Sequence, residues 1–458
     1  MILSLIDHLR GPRGPDVRNV WGYEFAWTDL HKTPEELLPL RESYDKLADE
    51  TMRRLSILRG KRDLYTALEE EHVNDEVLGE FWRQAQTVPD WVDWEQIERG
   101  QKVFYRYGAA MLTGLAYNSL LGGMGANRIV EVLSRTGGFS KQVARRRMFE
   151  TTQHILQCTK SLDSIKPGGA GHRSSVKVRL LHSAVRQRIL KLHSENPDYY
   201  NLERDGIPIN NLDSIVTISS FSASLIWMSL PRQGIFLRRS ETVDYIALWR
   251  LIAHYFGCPT DPLATPELSR AYMESFLVTE INPTETSQVL SQNIIYSLAN
   301  QPPIHTSADY LIAITRWLNG DKMADALALP KASIRAKIMV GTQFTLVAVF
   351  YYVYRSVAYL DERKIENSRR MLYRLLVEGK HGLGGETAFE FKWVPQMDTV
   401  TEAGRVDVTK GYQGHGGTLD EAIEGRSLKV LVVLVAVLWL LLAVMVRGLV
   451  WGVQRMIV

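Results

Sequence analysis

Arg179-Leu180-Leu181-His182-Ser183-Ala184-Val185-Arg186 decides how this chain reads. At about 100° per residue, Val178, Leu181, Val185 and Ile189 form one apolar stripe of a helix. His182 stands at the margin of that stripe, with Arg179 and Arg186 just beyond it. Lys177, Gln187, Arg188 and Lys191 fall on the other side, toward solvent. Two readings fit the octapeptide. In one, a buried histidine completes an ordinary amphipathic helix flanked by solvated arginines. In the other, the imidazole is an axial ligand of haem iron, with hydrocarbon against the ring and guanidinium groups toward the propionates.

Outward from this stretch the helical period dominates. It recurs over 126–135, 140–160, 174–193, 213–230, 240–256, 266–279, 285–299, 306–319, 333–360 and 364–377. Thr33-Pro34-Glu35-Glu36 starts a further helix, with a threonine cap, a proline at the first position and an acidic first turn, and the pattern continues through Leu47 to Leu58. Val88-Pro89-Asp90 turns into another helix at Trp94. Gly122-Gly123-Met124-Gly125 has no strand before it, so it is a tight turn between helices and not a dinucleotide fingerprint. Alternating strand patterns are scarce and no repeat of 20–50 residues is present. The chain is predicted to be all-α.

Length and composition narrow the function classes. The 458 residues are 45% hydrophobic and 23% charged, an ordinary globular balance. A net charge of +3 is too small for a nucleic-acid binder, and the basic run Arg145-Arg146-Arg147 lies within a helical pattern. Cys158 and Cys258 are 100 residues apart, which excludes a cysteine-built zinc site and argues against a disulfide framework. The apolar start, Met1–Ile6, is too short for a signal peptide.

Near the other end, Val430–Val446 (VLVVLVAVLWLLLAVMV) holds 17 residues without a charge or helix breaker, bounded by Lys429 and Arg447. Such a helix is about 26 Å long, and snorkelling of the flanking basic residues completes a bilayer of about 30 Å. The sequence therefore predicts a single-pass membrane anchor over 428–450, with the large domain on the cytosolic side. Phe344–Tyr354 is equally apolar but, at 11 residues, is expected to be a core helix. The polar, glycine-rich stretch 395–427 reads as a flexible linker, leaving 1–394 as one large helical domain.

The helix expected over 140–160 places Val143, Arg147, Glu150, Thr151, His154 and Cys158 on one face. Ionisable groups turned toward apolar neighbours persist when they are paired or functional. Either an Arg147–Glu150 pair on a half-exposed face or a reactive pocket accounts for the pattern.

These motifs resemble the catalytic domain of the rubber oxygenases, or latex-clearing proteins, whose wider family includes fungal ER-bound oxygenases acting on a farnesyl side chain. The resemblance runs over roughly 80–300 and extends weakly through Pro89–Asp93, Ser219–Phe221, Gly234 and Trp249. It implies a b-type haem whose iron is held by His182, after Arg179 in an Arg-x-x-His motif. On the distal side it implies Arg147 and Thr151 as Arg-x-x-x-Thr, with Glu131, 16 residues before that arginine, as a base. Arg186 and Arg179 are then candidate propionate partners, and His154 a further pocket residue. One departure stands out: the relatives carry a lysine just before the distal threonine, where this chain has Glu150, so closure by a lysine on iron is not available.

The resemblance implies an ER membrane oxygenase that uses O2 on a hydrophobic terpenoid or prenylated molecule in secondary metabolism, cleaving or oxygenating a C=C bond. Two other readings stand beside it. One is a different haem-dependent oxidation, of peroxidase or dehydrogenating type. The other is a tail-anchored helical scaffold without haem.

Overall fold

A computed structural model describes residues 11 and 14–388, apart from 59, 61, 137, 138, 142 and 303. The expected linker (395–427) and membrane anchor (428–450) lie outside the described residues. Within them the regular structure is helical, save for one hairpin near the start.

That hairpin pairs β1 (Val17–Val20) with β2 (Tyr23–Ala26), antiparallel, Val20 opposite Tyr23. Its two-residue turn, Trp21-Gly22, has φ of 52° and 73°. Positive φ at both positions matches the right-handed twist of the strands. Periodicity missed it because tryptophan stands where asparagine is usual.

Helices follow. The segment read as one helix over 34–58 is two: α1 (Pro34–Arg41) and α2 (Lys46–Leu58). The capping box at Thr33 is present, Pro39 sits near the end of α1, and Asp45 restarts the helix by accepting from the Ala48 amide at 3.0 Å. Then come α3 (Leu64–Glu71), α4 (Glu76–Gln86) and α5 (Trp94–Arg106), each begun by an aspartate cap. Next, α6 (Gly108–Gly114) runs through a π-helical turn, Leu115–Leu120, to the predicted glycine turn. The middle of the chain holds α7 (Asn127–Arg135), α8 (Ala144–Thr159), α9 (Ala170–Glu195), α10 (Asn211–Phe221) and α11 (Arg239–Tyr255). The last group is α12 (Pro266–Thr279), α13 (Glu285–Leu298), α14 (Ala308–Asn319), α15 (Ile334–Arg355) and α16 (Ala358–Tyr373).

Two apolar clusters hold this array. The larger centres on α5 and α11, with Phe104, Tyr105, Tyr245, Leu248 and Trp249 buried together. The second joins α13, α14 and the first half of α15 through Leu290, Ile294, Leu311, Leu318 and Val340. A smaller cluster packs Val176 and Leu180 of α9 against α2, α3 and α4.

The helical run Asn211–Arg232 and α15 are long and apolar enough to cross a membrane, a test that core helices also pass. Half of the first is buried. Along α15, Phe344, Ala348 and Tyr351 are buried as expected, whereas Ile334, Ile338 and Phe350 face outward.

α9 positions the site. At 26 residues it is about 39 Å long and is covered on two neighbouring faces, by α2 on one and α8 on the other. α8 and α9 touch at one end through Gly171: a Cβ there would lie 2.7 Å from Cys158 Cα and Gln157 O. Farther along they part, and a cavity opens between them.

Candidate active site

The cavity has a volume of about 750 Å³, within the usual range for ligand sites. α9 contributes Val178, Leu181, His182 and Val185 to its wall. Val178, Leu181 and Val185 of the stripe predicted from the sequence thus face the cavity, while Ile189 packs with Leu192, Tyr199 and Tyr200 instead. α8 contributes Arg146, Arg147, Glu150, Thr151 and His154. Aromatic walls come from Trp21, Phe221, Trp249 and Phe256, and an apolar side from α7 through Ile129, Val132 and Leu133.

His182 makes no hydrogen bond to any of the described residues; its nearest ring is Phe256, 6.2 Å away. Burial, then the charges of Arg186 and Arg147, push its pKa down to about 4. The imidazole is therefore neutral at physiological pH with a lone pair to offer, which is the state a metal ligand needs. His154 is neutral too, pushed to about 3 chiefly by burial. Its Nδ1 lies 2.8 Å from Ser174 Oγ, and its ring stacks on Phe256 at 5.3 Å.

The polar side chains of α8 are linked. Glu150 pairs with Arg146 at 3.1 Å and with Arg147 at 3.4 Å. Both alternatives left open by the sequence thus hold at once, since the Arg147–Glu150 pair is itself part of the cavity wall. Thr151 donates its hydroxyl proton to the Arg147 carbonyl at 3.0 Å, so its oxygen lone pairs are what it presents to a ligand. Thr151 is exposed, and the cavity reaches solvent on this side.

Three expected site residues lie elsewhere. Arg179 bonds Asp45 at 2.5 Å and Gln84 at 2.6 Å. Arg186 bonds the Asp49 carboxylate and the carbonyls of Pro208 and Ile209 at 3.1 Å. Both arginines are buried on the α2 face of α9 and held by these partners, not turned to the cavity. Glu131 is also off the cavity wall. The positions of α7 that face the cavity are 129, 132 and 133, joined by 136 just past its end, and Glu131 is not among them, being paired to Arg135 at 2.7 Å. The remote carboxylates of Asp45 and Asp49, which no spacing rule anticipates, decide the two arginine placements, whereas Glu131 meets Arg135 at the ordinary i,i+4 helix spacing.

Asp213 of α10 is the residue that the sequence reading missed. It lines the cavity and is buried, yet Asn210-Asn211-Leu212-Asp213 looks only like a helix cap with an acidic first turn. Phe256, between the two histidines, gave no periodic signal either.

The model of one protein family, described as the catalytic domain of ER-bound oxygenase mpaB/B' and rubber oxygenase, matches residues 105–350, more than half of the chain. The chain belongs to that family. The rubber oxygenase fold recurs in a solved structure of latex clearing protein LCP in the closed state. This chain is 18% identical to it with a TM-score of 0.57, over 82% of this chain and 98% of the other. No curated protein matches. The rubber oxygenase segment takes in α8, α9 and α10, and so every cavity residue named above except Trp21.

The donors present suit haem. Among the described residues no group of three or more His, Cys, Asp or Glu side chains could hold a bare metal ion. A haem iron needs only one axial side chain from this wall, and an unpartnered neutral imidazole beside an apolar cavity supplies it.

Proposed function

We propose that this chain is a haem-dependent oxygenase acting on a hydrophobic, prenyl-like substrate, with His182 as the residue that would hold the iron. The observation that carries the reading is the half-buried, unpartnered imidazole on the wall of a large apolar cavity that also receives Arg147, Glu150, Thr151 and His154. Family membership supports the oxygenase part.

When bound, haem supplies the activation of O2. The chain's own residues do the rest. Leu181, Val185, Ile129 and Leu133 exclude water from an apolar substrate. Arg146 and Arg147 bring guanidinium groups to the cavity wall and would hold anionic groups of the cofactor, the role first given to Arg179 and Arg186. Thr151 Oγ1 accepts a hydrogen bond from a distal group. Glu150, held by two arginines, is the carboxylate on this wall that can take up or return a proton, the task first given to Glu131. Anchoring through 428–450 at the ER, with the domain facing the cytosol, would bring a membrane-dissolved substrate to the cavity mouth.

The test is an ultraviolet–visible spectrum with a pyridine haemochrome assay on the solubilised full chain. The expected result is about one b-type haem per chain, lost in His182→Ala while the fold, judged by circular dichroism, remains. A full Soret band in that variant would overturn the ligand assignment. Isotopic O2 incorporated into product separates an oxygenase from another haem oxidation.

A further inference from the structure

The cavity is apolar over most of its wall, yet three of its lining residues besides Trp249, whose indole Nε1 is also unpaired, each carry a buried polar atom without a hydrogen-bond partner among the described residues. These atoms are Asp213 Oδ2, Ser219 Oγ and Asn118 Oδ1. Leaving such atoms unsatisfied is costly, most of all for a carboxylate. Most of the polar atoms of their neighbours are already committed, Arg128 Nε excepted. Asn118 spends its Nδ2 on Leu318 O at 3.2 Å and on Asn319 Oδ1 at 3.0 Å. Asp213 Oδ1 accepts from Arg128 Nη2 at 3.1 Å, and the same Arg128 nitrogen lies 2.6 Å from Glu280. One guanidinium thus serves two buried carboxylates, and it is nearer to Glu280. The cluster has one negative charge to spare, with Oδ2 its uncommitted oxygen.

Burial, against the opposing pull of Arg128, raises the Asp213 pKa to about 6. The carboxylate is under-compensated where it stands. A pure hydrocarbon in the cavity would seal in all three orphan atoms. A ligand that brings a hydrogen-bond donor would satisfy Asp213 Oδ2, the charged one among them.

We propose that Asp213 is a specificity-determining residue that accepts a hydrogen bond from a hydroxyl carried by an otherwise hydrocarbon substrate. This rests on the reading of the cavity as the substrate site, and it adds which molecules the cavity prefers.

The test uses the full-length, solubilised, haem-loaded protein in equilibrium dialysis against two probes, farnesol and its hydrocarbon counterpart farnesene. The expected result is about tenfold or greater preference for farnesol. Asp213→Leu should abolish the preference while keeping farnesene affinity, which also shows that the variant is folded. Asp213→Asn, nearly isosteric and still offering an acceptor oxygen, should keep part of it; this variant carries the test if the leucine variant does not fold. Equal affinity of the wild type for both probes would mean that water satisfies Asp213, overturning this proposal while leaving the substrate cavity intact. Full preference surviving in either variant would overturn it as well. Binding of neither probe would remove the substrate-site reading and this proposal together.

Discussion

Arg186 has the residue type and spacing of a propionate partner, and its surroundings give it another task. It neutralises Asp49 and bonds two carbonyls where α9 meets α2. Arg186→Met leaves Asp49 without its main cation, and breaking such a buried pair typically costs about 3–5 kcal/mol. Denaturant unfolding should show that loss, while haem per folded chain stays unchanged. The buried histidines make a second prediction. His154 and His182 have folded pKa values near 3 and 4, below the ordinary 6.5. Below pH 6.5 the unfolded chain takes up protons that the folded chain refuses. Their contribution is therefore whole above pH 6.5 and is lost as pH falls toward 4 and 3. Asp213 works in the opposite sense: its raised value favours the fold at low pH, and that benefit is lost as pH rises through about 6. Two histidines outweigh one carboxyl, so the thermal midpoint should fall between pH 6 and 4. His154→Gln should flatten that slope; an unchanged slope would remove His154 as a cause.

Among the elements, the contact of α8 with α9 at Gly171 sets how far the two helices part along the cavity. In Gly171→Ala the new Cβ meets backbone of α8, which cannot swing aside as a side chain can. The expected cost is about 1–3 kcal/mol with reduced haem retention, read from unfolding curves and the Soret-to-protein ratio. The same two helices show how far the sequence was legible. Periodicity located α7 to α14 closely, and the α8 face carrying Arg147, Glu150, Thr151 and His154 is the face that meets the cavity. It failed where the deciding force lies outside the element. On α9, positions 179 and 182 are about 60° apart around the axis. Position 179 is buried and position 182 half-buried, and only the carboxylates of the distant α2 region determine which side takes the arginines. The hairpin turn at Trp21, the break after Arg41 and the buried state of Asp213 are likewise set by neighbours remote in sequence.

At the scale of the whole molecule, the membrane is the open element of the proposal. Removing residues 428–450 is expected to shift the protein from the membrane pellet to the soluble fraction. Retention in the pellet would move the contact to α15, whose outward face carries Ile334, Ile338 and Phe350. The family match begins at residue 105, after β1, β2 and α1 to α4 have gone by. Those leading elements are nevertheless woven into the site region. Trp21 forms part of the cavity wall, Asp45 and Gln84 hold Arg179, and Asp49 holds Arg186. A chimera spliced at the boundaries of the matched segment would strip one wall from the chamber and strand two guanidinium groups. The transplantable unit is larger than the segment that sequence kinship marks out, and its upstream junction belongs ahead of the hairpin.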